Sequence, residues 1–443
     1  MSKEAYKDFF KGKRITLMGL GLLGRGLGDA EFLAKCGAQL TVTDLKSEIE
    51  LKSSVSKLKK YKNIKYVLGN HRMEDFQNVD LIIKSAGVPL NSPYIENARA
   101  KGVPIEMSTA LFARFSPATI VGITGTRGKS TTTHLLYEIL KASGRKVFLG
   151  GNVRGLSTLA LLPKVKQGDV VVLELDSWQL QGFGEAKISP HIAIFTNFLN
   201  DHLNYYKGNT KAYFEDKANI FLNQKKEDYL IVGKKVASMV RERLAGESAN
   251  PKILIPKPLP TTWKLSMLGI HNRENASLSV EAARVLGVSE NIIKKVTSEF
   301  KGVPGRLEFV REVRGVKVYN DTTATTPDAT LVALSAFAPQ KPILIMGGAD
   351  KELDMTKLLK ALPKMTKKVV LLPGSGTDKL VLAKSLGKSI IRATNLSGAV
   401  REALDVAKKG DILLFSPAFA SFGMFKNEFD RGEKFIKLIR SLK

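Results

Sequence analysis

The 443-residue sequence contains one cysteine, Cys36, which excludes an internal disulfide and fits a reducing compartment. No stretch approaches the roughly 18 unbroken apolar residues of a membrane span. The apolar run Ile15 to Leu23 follows basic residues and imitates a secretion signal. The regular glycines Gly19, Gly21 and Gly24 argue against that reading, and no signal peptide is expected. Short-period repeats and long low-complexity tracts are missing too. With 44% hydrophobic residues, the chain is expected to be globular throughout, with room for about three domains. Acidic residues are few: 42 Asp+Glu against 69 Lys+Arg leave a net charge of +27. Such a field attracts anions, whether nucleic acid, lipid surface or phosphorylated metabolite. Dense basic blocks with interleaved aromatics are absent, and the lysines are spread, as in Lys57 to Lys65 and Lys364 to Lys368. A solvated basic surface accounts for most of the charge, and nucleic-acid binding is not the favoured function.

Three segments alternate short apolar runs with helical stretches, the α/β pattern of parallel sheets covered by helices. The expected domains are 1–107, Rossmann-like; 108–303, a central parallel sheet of the phosphate-loop ATPase type; and 304–443, Rossmann-like again. Strands are expected at Ile15 to Met18, Leu40 to Thr43, Leu81 to Ile83, Val170 to Leu175, Ile192 to Thr196, Val316 to Tyr319, Ile343 to Met346, Val369 to Leu372 and Ile412 to Phe415. A turn at Gly302-Val303-Pro304-Gly305 marks the last linker.

Two glycine-rich turns carry chemistry. Gly19-Leu20-Gly21-Leu22-Leu23-Gly24 follows a strand and opens a helix, and Asp44 lies 20 residues past Gly24 at the next strand end. That is the dinucleotide fingerprint, a side-chain-free backbone at a helix N-terminus, and it suits any nucleotide diphosphate. The second turn, Gly122-Ile123-Thr124-Gly125-Thr126-Arg127-Gly128-Lys129-Ser130-Thr131, ends as a phosphate-binding loop does. The usual first glycine is missing, since position 123 is Ile and the glycine falls at 125, which tightens the loop. Backbone amides of residues 126 to 130 are expected to cradle phosphates, Lys129 to reach the terminal ones, and the Ser130 hydroxyl to face Mg²⁺. Glu174 ends an apolar strand at the same sheet edge and could hold the metal. His202 follows another strand at that edge, while Lys217 alone is one lysine among many.

The shortened loop, the Glu174 strand, Asp201-His202, Lys217 fifteen residues later, and Gly269-Ile270-His271-Asn272-Arg273-Glu274-Asn275-Ala276 occur in an order that resembles the Mur ligases. Those enzymes build the peptide stem of bacterial peptidoglycan, and the resemblance covers essentially the whole chain. The first glycine turn, Ser85-Ala86-Gly87-Val88-Pro89, and the carboxyl-end residues Ser416-Pro417-Ala418, Ser421-Phe422 and Phe425-Lys426-Asn427 resemble the branch that adds D-glutamate to UDP-N-acetylmuramoyl-L-alanine.

The resemblance implies ATP, two Mg²⁺ ions and a carbamylated Lys217 as cofactors. It implies that Leu22, Leu23, Asp44, Lys46, Ser85 and Gly87 hold the UDP moiety and that Asn152 touches the muramoyl group. ATP would meet Gly125, Thr126, Arg127, Gly128, Lys129, Ser130, Thr131, Asn275, Arg306 and Asp321. Metal would meet Ser130, Glu174, His202 and the modified Lys217. Thr325, Lys351, Ser421 and Phe422 would form the amino-acid pocket. Lys129, Glu174, His202 and Lys217 would be catalytic. The implied protein is a cytoplasmic monomer with small-molecule substrates, no membrane span and no obligate nucleic acid. Departures from the family pattern are Thr323 for a frequent Lys, Asp176 for a common Ser, Gly305 for a frequent His, and the inverted pair Glu428-Phe429. Two of these lie near the peptide and glutamate ends, so L-glutamate or another amino acid stays open as the added residue. A basic nucleic-acid-associated ATPase is the alternative of another class.

Overall fold

Short apolar runs ending in glycine or a polar residue build three sheets in the computed structural model, which describes residues 5–199, 201, 205–247, 250–382 and 390–442. The first sheet is all parallel: β1 (Arg14–Met18), β2 (Gln39–Asp44), β3 (Ile64–Leu68), β4 (Leu81–Lys84) and β5 (Ile105–Glu106), in the order β3-β2-β1-β4-β5. The strand order reverses between β1 and β4, which makes a crevice at their carboxyl ends. The edge strand β3 was hidden within a lysine-rich stretch. Its Lys65 is exposed, and a lysine on an edge strand discourages further pairing.

The second sheet is also parallel: β6 (Thr119–Thr124), β7 (Val147–Gly151), β8 (Val170–Glu174), β9 (Ile192–Phe195), β10 (Tyr229–Val232) and β11 (Lys252–Leu254), in the order β11-β10-β9-β6-β8-β7. Its middle strands are buried on both faces, which explains their unbroken apolar runs. The phosphate-binding turn leaves β6, and the neighbours of β6 are the strand ending in Glu174 and the strand leading to Thr196.

The third sheet is mixed, five of its six strands being parallel. It comprises β12 (Glu308–Val313), β13 (Val316–Asn320), β14 (Ile343–Gly347), β15 (Lys368–Leu372), β16 (Ile390–Arg392) and β17 (Ile412–Phe415), in the order β12-β13-β17-β14-β15-β16. β12 runs antiparallel to β13, and the other pairs are parallel. The cause is local: Arg314 and Gly315 both take positive φ, 50° and 78°, as a tight hairpin turn requires.

The chain divides into two compact units, Met1–Pro258 with Asn275–Val296, and Leu259–Glu274 with Thr297–Lys443. In the first, one apolar core runs from Phe10 and Leu33 beside the first sheet to Phe195 and Val240 beside the second. In the second, separate clusters around Phe415 and Phe419 cover the two faces of the third sheet. Among the described residues no helix is long and apolar enough to cross a membrane.

Candidate active site

The phosphate-loop glycines meet a steric demand. Gly125 has φ 139°, and a Cβ there would overlap Thr196 Oγ1. Gly128, with φ 85°, is the left-handed N-cap of the helix Lys129–Ala142. The segment after β9 braces the turn from below. Thr196 Oγ1 donates to the Arg127 carbonyl at 2.6 Å, and Asn197 Nδ2 donates to the same oxygen at 3.0 Å. One sequence-based expectation needs correction here. The Thr126 amide donates to the Asn197 carbonyl at 2.9 Å and the Arg127 amide to Asn197 Oδ1 at 2.9 Å, so both are committed to the brace. A phosphate cradle there would draw on the first helical turn, which starts at Gly128 and contains Lys129, Ser130 and Thr131. Asn275 packs so closely on Gly128 that a Cβ would overlap its Oδ1, which brings the expected ATP residue to the loop. Arg127 pairs with Asp201 at 2.7 Å.

Two lysines converge on one carbonyl. Lys129 Nζ donates to the Gly125 oxygen at 3.0 Å and to the Thr126 oxygen at 3.3 Å. Lys217, 1% exposed on the helix Thr210–Ala218, donates to the same Gly125 oxygen at 3.0 Å. Burial first, and then the neighbouring Lys129 and Arg127 charges, push the Lys217 amine well below the usual lysine range, against the pull of Asp176 and Asp201. A neutral amine still has hydrogens to donate, so the shared carbonyl is compatible with one ammonium and one amine. Its face lies over the Tyr213 ring, 4.8 Å from the centroid.

Glu174 closes β8 beside Gly151 and Ile123, and is 5% exposed. Among the described residues no hydrogen bond or ion pair reaches its carboxylate. A buried carboxylate left in that state at the edge shared with Ser130 and Lys217 suits a divalent cation with oxygen ligands. Among the described residues no cluster of three or more His, Cys, Asp or Glu occurs. His202 lies outside the described residues.

A second feature opens at the crevice of the first sheet. A cavity of about 410 Å³ is lined by Gly19, Gly21, Leu22, Leu23, Asp44, Lys46, Ser85 and Gly87, which are residues expected around UDP, and by Ser157, Thr158 and Gln179 of the central segment. Asp44 has a structural task as well: Oδ2 accepts from the Gly21 amide at 2.8 Å and Oδ1 from the Lys46 amide at 2.9 Å. Asn152 reaches this region through Arg25, whose Nη1 donates to Asn152 Oδ1 at 2.6 Å. Beneath them Asp29, 7% exposed, accepts from Ser108 at 2.5 Å and from Ser157 at 2.6 Å. Burial raises its carboxyl above the usual range, and the two serines hold it down in part. Asp176, one of the departures, is the N-cap of the helix Ser177–Glu185 and accepts from the Gln179 amide at 2.8 Å.

The remaining expected residues belong to the second unit. Lys351 Nζ donates to Thr325 Oγ1 at 3.1 Å, which joins two of the four residues assigned to the amino-acid pocket. Ser421 and Phe422 follow a bridge between Ala349 and Ala420, so the chain carrying them is tied to the turn carrying Lys351. Phe422 is 68% exposed. Asp321 accepts from Ser416 at 2.8 Å and from the Leu307 amide at 3.1 Å, and burial pushes its carboxyl up to about 7, against Ser416, that amide and the nearby Arg306. Thr323 donates to the Gly305 carbonyl at 3.0 Å, so two departures from the family pattern contact each other. Buried Arg431 holds the Thr322 and Phe419 carbonyls from beneath, at 2.7 and 3.1 Å.

Sequence reasoning missed Arg25, Asp29, Lys84, Asn197 and Arg431. All but Lys84 act through a partner far along the chain, such as Asn152 for Arg25 and Thr322 for Arg431. Only Lys84 left a local trace, as a charge ending the apolar run Leu81-Ile82-Ile83.

Two glycine turns, each leading from a parallel strand into a helix, one ending in Gly-Lys-Ser, define a multidomain α/β protein built to bind phosphorylated ligands. Residues 13–106 match the MurD-like N-terminal domain of Mur ligases, residues 123–257 the Mur ligase middle domain and residues 305–419 the Mur ligase glutamate ligase domain. The chain belongs to the Mur ligase family. It is 37% identical to the UDP-N-acetylmuramoylalanine--D-glutamate ligase of a Roseiflexus species, over 97% of this chain and 99% of that one. To the proteins of the same name from Borreliella burgdorferi and Geobacillus kaustophilus it is 38% and 36% identical, over 98% of this chain and 99% of each. Its fold is similar to that of the UDP-N-acetylmuramate-alanine ligase MurC of Thermotoga maritima, with TM-score 0.59 and 21% identity over 97% of this chain and 99% of that one. It also resembles the MurF ligase of Thermotoga maritima in complex with ADP, with TM-score 0.60 and 18% identity over 98% of this chain and 95% of that one.

Proposed function

We propose that this chain is an ATP-dependent ligase that joins D-glutamate to UDP-N-acetylmuramoyl-L-alanine in the synthesis of peptidoglycan precursors. The observation that carries the reading is the convergence of Lys129 and Lys217 on the Gly125 carbonyl, next to the strand end where Glu174, which has no partner among the described residues, pairs in register with Ile123. Near full-length similarity to relatives of that name supports the choice of substrates.

A free carboxylate is a poor acyl donor. The alanine carboxylate oxygen attacks the γ-phosphorus of ATP, ADP departs, and an acyl phosphate forms. The Lys129 ammonium and the amides of the first helical turn offset the charge that spreads over the transferred phosphoryl group. The uncharged amine of glutamate then attacks the acyl carbon, a proton is lost, and inorganic phosphate leaves with formation of the amide.

Mg²⁺, two ions in the full reading, would be held by Ser130, Glu174, His202 and Lys217, and would supply neutralisation of phosphate charge. Lys217 would serve as its carbamate, formed when the neutral amine adds carbon dioxide and releases a proton. Its burial beside Lys129 favours the neutral amine that this step needs. Arg127, Thr131, Asn275, Arg306 and Asp321 are assigned to ATP. Leu22, Leu23, Asp44, Lys46, Ser85, Gly87 and Asn152 are assigned to the UDP-sugar, and Thr325, Lys351, Ser421 and Phe422 to glutamate. Domain limits at 107/108 and 303/304, a monomeric state, a cytoplasmic location and no need for nucleic acid complete the proposal.

The test uses purified protein, ATP, Mg²⁺ and UDP-N-acetylmuramoyl-L-alanine, with D- or L-glutamate added separately. Phosphate release and a product of the ligated mass with D-glutamate support the proposal. Product from L-glutamate alone moves the chain to another branch. ATP turnover stimulated by nucleic acid, with none from the sugar nucleotide, overturns the ligase assignment.

A further inference from the structure

Lys84 ends β4 opposite Met18 of β1 in parallel register, at the point where the first sheet reverses its strand order. Ligands of open α/β sheets bind at such points. The residue is 1% exposed and lines the cavity of about 410 Å³. Its Nζ donates to the Val88 carbonyl at 2.9 Å. Among the described residues it has no other hydrogen bond and no ion pair. An ammonium carries three N–H groups, so the pairing is incomplete.

The charged groups facing Lys84 come from the central segment and one neighbouring helix. They are Glu185 and Asp176 at the two ends of the helix Ser177–Glu185, Asp216 on the helix Thr210–Ala218, and Arg99 on the helix Pro93–Ala100. Each acid has other commitments. Glu185 pairs with Arg99 at 2.5 Å, Asp216 accepts from Gln181 and Tyr206 at 2.8 Å each, and Asp176 caps its helix. Burial outweighs their pull and draws the ammonium down to about 8. A desolvated cation with one neutral partner disfavours the folded state unless a ligand completes it. The Val88 carbonyl closes a turn in which the Val88 amide donates to the Ser85 oxygen at 3.1 Å, and that turn carries Ser85 and Gly87.

We propose that Lys84 is a specificity-determining residue of the sugar-nucleotide site, holding the Ser85–Val88 turn by its Val88 carbonyl and supplying the positive charge that an anionic diphosphate ligand requires. The proposal rests on the sugar-nucleotide reading of this cavity. Lys84 touches no group assigned to ATP, so its effect belongs to one substrate.

Calorimetric titration with UDP, and with uridine as the uncharged control, tests it. Lys84→Met weakens UDP binding by about tenfold or more and uridine binding by less than about threefold, the range expected for a charged hydrogen-bonding group. Lys84→Arg keeps the charge and recovers UDP affinity to within about threefold. In the unsubstituted chain UDP affinity falls as pH rises through about 8, because the ammonium is lost, and this limb is missing in Lys84→Arg. In turnover the KM for UDP-N-acetylmuramoyl-L-alanine rises about tenfold in Lys84→Met while kcat at saturation falls less than about threefold. Unchanged UDP affinity in Lys84→Met, or equal losses for UDP and uridine, overturns the assignment. If Lys84→Met does not fold, persistence of the alkaline limb in Lys84→Arg overturns it instead. Failure of the unsubstituted chain to bind UDP at all overturns the sugar-nucleotide reading itself, and that outcome is distinct.

Discussion

The two glycine turns of the first unit share a backbone and differ in what their first helical side chain does. Gly24 and Gly128 cap their helices with nearly the same angles, φ 84° and ψ −10° against φ 85° and ψ −12°. The next residue is Arg25 in one and Lys129 in the other. Lys129 curls back over its own loop onto the Gly125 and Thr126 carbonyls, so its charge sits where a phosphate chain would lie. Arg25 reaches outward to Asn152 on the neighbouring sheet. The braces differ as well. A carboxylate, Asp44, holds the first turn by the Gly21 amide, whereas a carboxamide and a hydroxyl, from Asn197 and Thr196, hold the second. The hydrogen bonds that brace the second loop carry no charge, although Arg127 in that loop pairs with Asp201. One backbone device thus carries two different sets of side chains that lie outside the glycine pattern.

Four substitutions would break or sharpen that contrast. Lys217→Ala removes the buried lysine that meets the Gly125 carbonyl of the phosphate turn, a residue with no counterpart at the first. Ligation should fall by about a thousandfold or more, and short carboxylates such as acetate should restore part of it. Full activity in the variant would end the metal-support role. Gly125→Ala introduces a Cβ that overlaps Thr196, at φ 139°. Turnover at fixed ATP should drop by about a hundredfold, with the loss read in the KM for ATP. Arg25→Met should raise the KM for the sugar nucleotide by about tenfold, leave that for ATP in place, and lose its effect in an Asn152→Ala background. Gly21→Ala is the mild counterpart of Gly125→Ala, because its φ of 63° is tolerated and a Cβ there meets nothing within 4 Å. Thermal melting should register a cost of only about 1–2 kcal/mol.

The strands that position these turns were legible because each is an apolar run ended by the residue that matters, as with Thr43-Asp44 and Leu173-Glu174. The edge strand β3 was not, because only Val67 of its five residues is fully buried and its lysine looks like surface. The antiparallel β12 was missed because Arg314-Gly315 makes a hairpin turn without the asparagine or aspartate that usually marks one. In the candidate site, the residues with local motifs were found, among them Lys129, Ser130 and Glu174. Asn197 was not, since its grip on the Arg127 amide spans 70 positions and leaves no periodic trace. Lys84 was passed over for a similar reason: its burial is a property of the packed central segment, and one lysine among 69 basic residues carries no signal alone.

Asp29 has a consequence for the order of events during synthesis. Its two partners, Ser108 and Ser157, are encoded 79 and 128 positions later. At a synthesis rate of about 5–20 residues per second, the second serine follows by roughly 6–26 seconds. Through that interval the helix Arg25–Lys35 displays a hydrated, ionised carboxylate on a face that will later be dry. The nascent first sheet therefore keeps a soluble surface until the central segment arrives, and the charge that protects it while it waits becomes the hydrogen-bonded seam that joins the two segments.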